Sequence, residues 1–268
     1  MSKKIIIPLC RNPFDIYVNH HFYSYPAGEE VEVPDEVAEV IEQHIGCHVT
    51  DSAPPAPSGG GGNNNFDELL DETATDLYWD DITELESGMS EAIVEIIKNR
   101  TITTARFPAL KMIPAYMFSN QGSLTSVDVS AATDIGGSAF TKCINLTNID
   151  MPEATIIMAN AFDGCTNLAL TELPPKLMRI VGYAFANCSS LAITHFPASV
   201  AGIVGYAFNN CVGLTSITFE GTPSSIAASS FSGCTNLTTI NVPWADGAVK
   251  NAPWGATNAT INYNYKGD

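Results

Sequence analysis

The residues that could do chemistry form two groups, and the larger one is a regular series of cysteines. Five of the seven cysteines recur at an interval that varies by no more than one position: Cys143, Cys165, Cys188, Cys211 and Cys234. Neighbouring strands of a parallel stack lie about 4.8 Å apart, a distance that a disulfide can bridge. Cysteine is also a small apolar residue that suits a tight interior. The spacing therefore favours a buried column of thiols, with disulfides between neighbours as the alternative.

The second group lies near the start of the chain and raises the question of a metal site. Its members are Cys10, His20, His21, His44, Cys47 and His48. Zinc sites usually pair their ligands at short, regular spacing, and this set has neither a CxxC pair nor a second regular pair. The pattern favours surface histidines over zinc ligands. We therefore predict neither a metal nor a cofactor.

The rest of the sequence shows no catalytic constellation. His195 is the only histidine after His48, and no serine or cysteine nucleophile can be assigned to it. The glycines at 59–62 are not followed by the Gly-Lys-Ser/Thr of a phosphate loop. Asp80 and Asp81 lack the spacing of a calcium loop. These absences predict a binding protein and not an enzyme.

The cysteine series belongs to a longer repeated unit. Its clearest copy runs from Ile203 to Phe219 and reads I-x4-F-x2-C-x2-L-x2-I-x-F. The phenylalanine of the unit recurs at the same interval as the cysteine, at Phe118, Phe140, Phe162, Phe185, Phe208 and Phe231. A fixed period of about 20–50 residues indicates a solenoid, in which each turn covers the apolar residues of its neighbours. We predict that the phenylalanines and cysteines form the core ladder.

The segment after each leucine of the unit predicts a short strand of a parallel sheet. Ile149 and Met151 would point inward, and the residues between them outward. Pro152 would end the strand, because proline has no amide hydrogen for the ladder. The outward positions form a candidate face for a ligand or partner: Asp128, Asp150, Leu170, Glu172, Ile193 and His195.

Two repeats depart from this strand pattern. Thr171 and Thr194 stand where the other strands carry an inward aliphatic residue. Either these strands twist so that Leu170 and Ile193 turn inward, or the two side chains form an exposed apolar step bordered by acids. A slip of one residue exchanges the two faces of a strand. The pattern leaves both interpretations open.

The F-x-x-C-x-x-L unit resembles the BspA-like leucine-rich repeat over residues 113–242. Members of that family occur among bacterial surface proteins and in head and tail fibres of phages that infect gut bacteria. The resemblance implies a solenoid fold and leaves the ligand open, because one scaffold carries many binding faces. The end of the chain, with Trp244 and Trp254 each preceded by proline, looks like the terminal cap of phage structural proteins that carry these repeats.

The predicted fold class is α+β, with five segments. They are a small α/β anchoring module (1–50), a linker of proline, glycine and asparagine (51–65), an acidic and partly helical N-terminal cap (66–106), a leucine-rich-repeat solenoid with a parallel sheet (107–243) and a C-terminal cap (244–268). Caps are expected because an open solenoid end exposes its apolar columns. In the first cap, Ser90 is predicted to be the N-cap of a helix that ends near Lys98.

Charge and hydropathy exclude several classes of partner. Residues 1–100 carry 20 acidic and 5 basic residues, a net charge of −15, while residues 101–268 carry 9 and 7, a net charge of −2. A chain without a basic stripe is not expected to bind nucleic acid. No apolar run approaches the roughly 20 residues of a membrane span. The apolar run near the start is too short for a signal peptide, so we expect no export by that route.

Together with the resemblance, these features predict a phage virion accessory protein, either a head or tail fibre or a decoration protein. Residues 1–50 would bind a capsid or tail protein, and the repeats would bind a host-surface glycan or protein. Self-association as a homo-oligomer is left open. The alternatives are a bacterial surface adhesin of the same repeat family and an intracellular interaction scaffold.

Overall fold

The computed structural model describes the backbone of four strands between Ser2 and Pro34, and then residues 75–79, 82–85 and 87–267. The chain divides into two compact units, Met1–Ala74 and Thr75–Asp268. The strands of the first unit are β1 (Ser2–Ile6), β2 (Phe14–Val18), β3 (His21–Tyr25) and β4 (Glu30–Pro34). β1 pairs antiparallel with β4, and β2 pairs antiparallel with β3. The predicted linker and the side chains of the histidine and cysteine cluster lie outside the described residues.

The second unit is a solenoid of short parallel strands, with one helix, α1 (Ser87–Lys98), in its described part. Its strands are β5 (Asp76–Tyr78), β6 (Thr104–Arg106), β7 (Met112–Ile113), β8 (Ser126–Asp128), β9 (Asp134–Ile135), β10 (Asn148–Asp150), β11 (Ile156–Ile157), β12 (Arg179–Ile180), β13 (His195–Phe196), β14 (Gly202–Ile203), β15 (Ser216–Phe219), β16 (Ser225–Ile226), β17 (Thr239–Asn241) and β18 (Thr260–Asn262). The predicted parallel-sheet solenoid is confirmed.

Every repeat except the third contributes strands to two different sheets. The strands that contain the first isoleucine of the unit form one continuous six-stranded sheet, in the order β7, β9, β11, β12, β14, β16. The strands after the leucine form two four-stranded sheets, β5-β6-β8-β10 and β13-β15-β17-β18. We call these the first and second halves of the split sheet. The gap between them falls at the repeat of Phe162, residues 157–179, which we call the third repeat.

The predicted core ladder is confirmed. All six phenylalanines are fully buried, and consecutive rings stack nearly parallel with centroids 5.2 to 5.4 Å apart. The five cysteines beside them are buried and free, so the alternative of disulfides between neighbours is wrong. Each thiol donates to the phenylalanine carbonyl of the preceding repeat at 3.0 or 3.1 Å. The thiol column therefore satisfies backbone acceptors inside the core.

The residue before each cysteine forms a tight turn. Its φ angle is positive, between 59° and 77°, at Asn120, Lys142, Gly164, Asn187, Asn210 and Gly233. Glycine and asparagine tolerate this left-handed region best, which accounts for their use at five of these six positions. Lys142 shows that the surrounding turn imposes the conformation on a less suitable residue as well.

Gln121 ties the first repeat to the segment in front of it. It occupies the place of the cysteine in that repeat and is buried. Its Nε2 donates to the Ile97 carbonyl at 2.7 Å, and its Oε1 accepts from the Ile102 amide at 3.1 Å. The side chain thus satisfies one carbonyl in the last turn of α1 and one amide after the helix.

The predicted N-cap of this helix is wrong. α1 begins at Ser87, so Ser90 lies inside the helix. Its hydroxyl donates to the carbonyl of Leu85 at 3.3 Å. The helix therefore starts three residues before the predicted cap, and the prediction of Lys98 near its end is confirmed.

The two tryptophans of the predicted C-terminal cap pack inside it. Trp244 and Trp254 are buried, with ring centroids 6.3 Å apart, and both contact Phe219. The indole of Trp254 donates to the Lys250 carbonyl at 2.7 Å. The segment also contains β18, which pairs parallel with β17. These contacts cover Phe219 at the end of the solenoid.

Candidate functional site

The split sheet is interrupted between β10 and the third repeat. β10 pairs in register with β8 on one side, and in the described part of the chain no strand pairs with its other side. The two segments meet only where they begin, with the Ala169 amide donating to the Thr147 carbonyl at 3.1 Å. Beyond that point they separate. The third repeat joins the second half of the sheet through a bridge between Glu172 and His195.

The residues that face the core change at the interruption. In the regular repeats the inward residue lies three positions after the leucine, as Ile149 and Ile217 do. In the fourth repeat it lies two positions after the leucine, at Ile193, and that repeat still pairs with both neighbours. The corresponding residue of the third repeat, Leu170, is only half-buried, and the threonine after each of the two is exposed. Strand pairing is therefore lost where this side chain turns only partly inward.

The outward assignment of Ile193 is consequently wrong. Its side chain is 1% exposed and belongs to the core, whereas Leu170 is half-buried. Of the two interpretations left open by the sequence, the inward turn is the correct one for Ile193. The predicted exposed apolar step of two residues does not exist.

The free side of β10 presents backbone groups. The Val129 amide donates to the Asp150 carbonyl at 2.9 Å, so the peptide groups of Asp150 face β8. Alternate residues of a parallel strand turn these groups to opposite neighbours, so those of Ile149 and Met151 face the gap. Among the residues described, no acceptor meets the Met151 amide.

One backbone hydrogen bond is absent at the third repeat, but its absence does not explain the interruption, because Pro152 and Pro243 stand at the same place in repeats whose strands pair regularly. In the fifth repeat, Glu220 stands six residues after the leucine, and its amide donates to the Phe196 carbonyl of the preceding repeat at 3.0 Å. The third repeat has Pro174 at the same place, and Pro175 follows. Proline has no amide hydrogen. The carbonyl of Met151 therefore cannot receive the corresponding bond.

The separation creates a cleft of about 320 Å³, within the size range of small-molecule sites. It is lined by Asn148, Ile149, Asp150, Met151, Pro152, Ala169, Leu170, Thr171, Glu172, Leu173, Pro174 and Pro175. Asp150 and Glu172 are exposed at its rim. We call this feature the sheet cleft. It combines unpaired peptide groups, a partly apolar floor and two carboxylates.

A lysine next to the sheet cleft is already engaged. Lys176 forms an ion pair with Glu153 at 2.5 Å, joining the third repeat to the second. Among the described residues, neither Asp150 nor Glu172 forms an ion pair with a basic side chain. The negative charge of the rim is therefore available to a ligand that carries positive charge or hydrogen-bond donors.

The structure gathers some of the predicted site residues and separates others. Asp150, Leu170 and Glu172 line the sheet cleft, and exposed His195 lies beside Glu172 through the bridge, with its Nδ1 3.0 Å from the Thr194 hydroxyl. Asp128 is one turn away. It forms an ion pair with Arg106 at 3.4 Å and accepts from the Ser130 amide at 3.1 Å.

Sequence reasoning missed the backbone groups of β10, which are central to the sheet cleft. One signal was available in the length of the segment that joins the leucine of a repeat to the first isoleucine of the next. This segment is one residue longer between Leu168 and Ile180 than between Leu146 and Ile157. The extra residue enters just after the strand segment, where Pro174 and Pro175 stand. A change of repeat length marks the point where the sheet is interrupted.

The described residues also bear on metal sites and on membrane spans. No group of three or more histidine, cysteine, aspartate or glutamate side chains is placed to hold a metal ion there. In the same part of the chain, no helix has the length and apolar character to cross a membrane.

The chain matches a family model described as a BspA type leucine-rich repeat region, in six copies, over residues 84–169 and 155–251. No curated protein matches it. Among solved structures it is similar to a leucine-rich repeat protein of T. pallidum (TpLRR), with 28% identity over 52% of this chain and 72% of that one and a TM-score of 0.48. A leucine-rich repeat protein of Bacteroides ovatus has 25% identity over 52% of this chain and 35% of that one, with a TM-score of 0.40. A leucine rich cell surface protein of Faecalibacterium prausnitzii has 19% identity over 63% of each chain, with a TM-score of 0.45.

Proposed function

We propose that this chain, which belongs to the BspA-type leucine-rich repeat family, is a recognition protein that binds its partner at the sheet cleft. The supporting observation is the interruption of the split sheet beside β10, which leaves the Met151 amide without an acceptor among the described residues. This amide lines an open cleft that water enters, so a ligand binds there by replacing water with a hydrogen-bond acceptor of matching geometry.

The rim of the sheet cleft selects the chemistry of that partner. Asp150 and Glu172 favour hydrogen-bond donors and positive charge, while Leu170 offers a limited apolar contact. A partner with a polar, hydrogen-bonding edge fits this combination better than an anionic one. A host-surface glycan or a polar segment of a surface protein has this character.

Our proposal for location is a phage virion. Residues 1–50 attach the chain to a capsid or tail protein, and the solenoid faces the host. The division into the units Met1–Ala74 and Thr75–Asp268 supports a separate attachment module. A bacterial surface adhesin uses the same recognition face and differs in what holds the first unit.

The location is tested by fractionation. Phage particles and cell envelopes are purified from one culture that produces the chain, and both are analysed by quantitative mass spectrometry. We expect peptides of the chain at a fixed ratio to the major capsid protein. Enrichment in the cell envelope with none in the particles would replace the virion role by the adhesin role.

The sheet cleft is tested independently of location. The full chain is fluorescently labelled, and its binding to intact bacterial cells is measured by flow cytometry. We expect binding to fall at least about tenfold in the Asp150→Asn, Glu172→Gln double variant, since each lost charge-assisted hydrogen bond is worth about 1.5–3 kcal/mol. The matched control is Glu95→Gln, Glu220→Gln, which removes the same charge at exposed positions away from the sheet cleft. Equal binding by the two double variants would refute the assignment.

A further inference from the structure

Two tyrosines occupy turn positions that suit glycine or asparagine. After each strand of the six-stranded sheet the chain forms a turn, closed in the fourth and fifth repeats by hydrogen bonds from Ala184 to Val181 at 3.1 Å and from Ala207 to Val204 at 3.2 Å. Tyr183 and Tyr206 are the third residues of these turns, with φ of 60° and 63°. Turns with positive φ at this position favour glycine or asparagine.

Neither tyrosine contributes a buried ring to the core. Tyr183 is 42% exposed and Tyr206 is 41% exposed, although the phenylalanines two residues later are fully buried. The two rings stack on each other, with centroids 5.0 Å apart and an interplanar angle of 13°. The positive φ recurs at Tyr116, Ser138 and Asn160, so the turn imposes it on the residue that stands there; what distinguishes Tyr183 and Tyr206 is that their exposed rings stack. Backbone preference and core packing do not account for this pair.

The repeats on either side of the stacked pair carry short polar residues at the same turn position. Asn160 occupies the same turn position in the repeat before Tyr183, and Ser229 occupies it in the repeat after Tyr206. Hydrogen bonds from the Asn160 amide to the Gly182 carbonyl, at 3.1 Å, and from the Tyr206 amide to the Ser229 carbonyl, at 3.2 Å, hold these turns next to each other. Each outer ring face is therefore bordered by a hydrogen-bonding group and not by another ring.

This arrangement suits a flat ligand with an apolar face and a polar edge. The six repeats have tyrosine, serine or asparagine at this turn position and no charged residue, at 116, 138, 160, 183, 206 and 229. An apolar side chain of a peptide would desolvate Asn160 or Ser229 without replacing their hydrogen bonds to water. A sugar ring provides carbon-bound hydrogens for the aromatic face and hydroxyls for the polar groups beside it.

We propose that Tyr183 and Tyr206 form a carbohydrate-binding platform for a neutral glycan. Pyranose rings stack on the outer face of each tyrosine, and the side chains of Asn160 and Ser229 bond to their hydroxyls. This platform follows the six-stranded sheet, whereas the sheet cleft belongs to the split sheet. The inference is therefore independent of the proposed function, and either can fail without the other.

The test uses the full chain and five soluble neutral oligosaccharides: cellohexaose, maltohexaose, mannohexaose, chitohexaose and galactohexaose. Binding is measured by saturation-transfer NMR and isothermal titration calorimetry. We expect at least one of them to bind. We expect its affinity to fall at least about tenfold in the Tyr183→Asn, Tyr206→Asn variant and to stay within about threefold in Tyr183→Phe, Tyr206→Phe, which keeps the rings.

The asparagine variant also separates a ligand-binding role from a structural one. Asparagine tolerates positive φ better than tyrosine, so the melting temperature should equal or exceed that of the wild type. The Glu95→Gln, Glu220→Gln variant, changed at exposed positions away from both sites, should bind the same sugar unchanged. The proposal is overturned if none of the five sugars binds the wild type, if binding survives in the asparagine variant, or if that variant melts at a lower temperature.

Discussion

The stacked phenylalanine column is best tested at its middle, where the loss of one ring affects two neighbours. Phe185 is fully buried, and its ring centroid lies 5.2 Å from that of Phe162 and 5.4 Å from that of Phe208. Replacement of a core phenylalanine by alanine costs about 3–5 kcal/mol. Each lost stacking contact adds about 0.5–1.5 kcal/mol to the effect of burial alone. We therefore expect Phe185→Ala to lie in the upper part of that range, at about 4–5 kcal/mol.

The backbone on both sides prevents the cavity from closing. The Phe185 amide donates to the Ala207 carbonyl, and the Phe162 amide donates to the Ala184 carbonyl, both at 2.8 Å. These bonds fix the spacing of the turns, so the neighbouring rings cannot move together to fill the void. The cost of a truncation rises with the volume of cavity that remains.

The assay is thermal and urea unfolding of the full chain, followed by circular dichroism. In a unit of this size about 1 kcal/mol shifts the melting temperature by about 2–4 °C, so Phe185→Ala should lower it by roughly 8–20 °C. The control is Ser216→Ala, on the exposed face of β15, which should change stability by less than about 0.5 kcal/mol. Similar shifts for the two variants would refute the assignment of the column as the stabilising core.

Three further predictions concern the ends and the thiols of the solenoid. Gln121→Ala should destabilise the chain by roughly 1–3 kcal/mol, because it removes the partner of the buried Ile102 amide, whereas the Ile97 carbonyl keeps its hydrogen bond from the Arg100 amide at 3.0 Å; urea unfolding measures it. Burial raises the pKa of the Cys234 thiol from 9.0 to about 11. Above pH 9 the unfolded thiol ionises while the folded one stays neutral, so stability should fall as the pH rises from 9 to 11, and less steeply in Cys234→Ala. A fragment of residues 75–268 should unfold at the temperature of the solenoid in the full chain.

Each of these predictions has an outcome that contradicts it. A Gln121→Ala variant as stable as the wild type would mean that water replaces the hydrogen bond to the Ile102 amide. An identical slope of stability against pH in the Cys234→Ala variant would mean that this thiol ionises equally in both states. Aggregation of the 75–268 fragment would mean that the first unit covers part of the same core.

The columns of the solenoid were predictable because a nearly fixed period determines them. Once Phe118 and Phe140 define the step between repeats, each later phenylalanine follows it to within one residue, and the cysteine three residues later is placed with it. The turns were predictable for a local reason, because Asn187 and Gly233 are residues that tolerate positive φ. In both cases one kind of information, either the period or the residue type, was sufficient.

The sheet cleft was not predictable, because the repeat pattern does not show where strand pairing stops. It treats Leu170 and Ile193 alike, yet Ile193 is buried in a repeat that stays paired, whereas Leu170 is half-buried beside the interruption. The tyrosine platform was missed for a different reason. A periodic pattern records Tyr183 and Tyr206 as variable positions, and only the structure shows that their exposed rings stack.

The lengthening of the repeat by one residue after Phe162 has a consequence for how far the molecule extends. Consecutive turns contact each other in the same way along the phenylalanine column, with ring centroids 5.2 to 5.4 Å apart. Insertion of another copy of the longer repeat within the second half would therefore lengthen the rod by one such step without altering either cap. The position of the third repeat is different, because only there do the two repeat lengths meet. The length of the solenoid can thus change by duplication of a repeat. The junction between the two repeat lengths, which forms the sheet cleft, occurs once along residues 113–242.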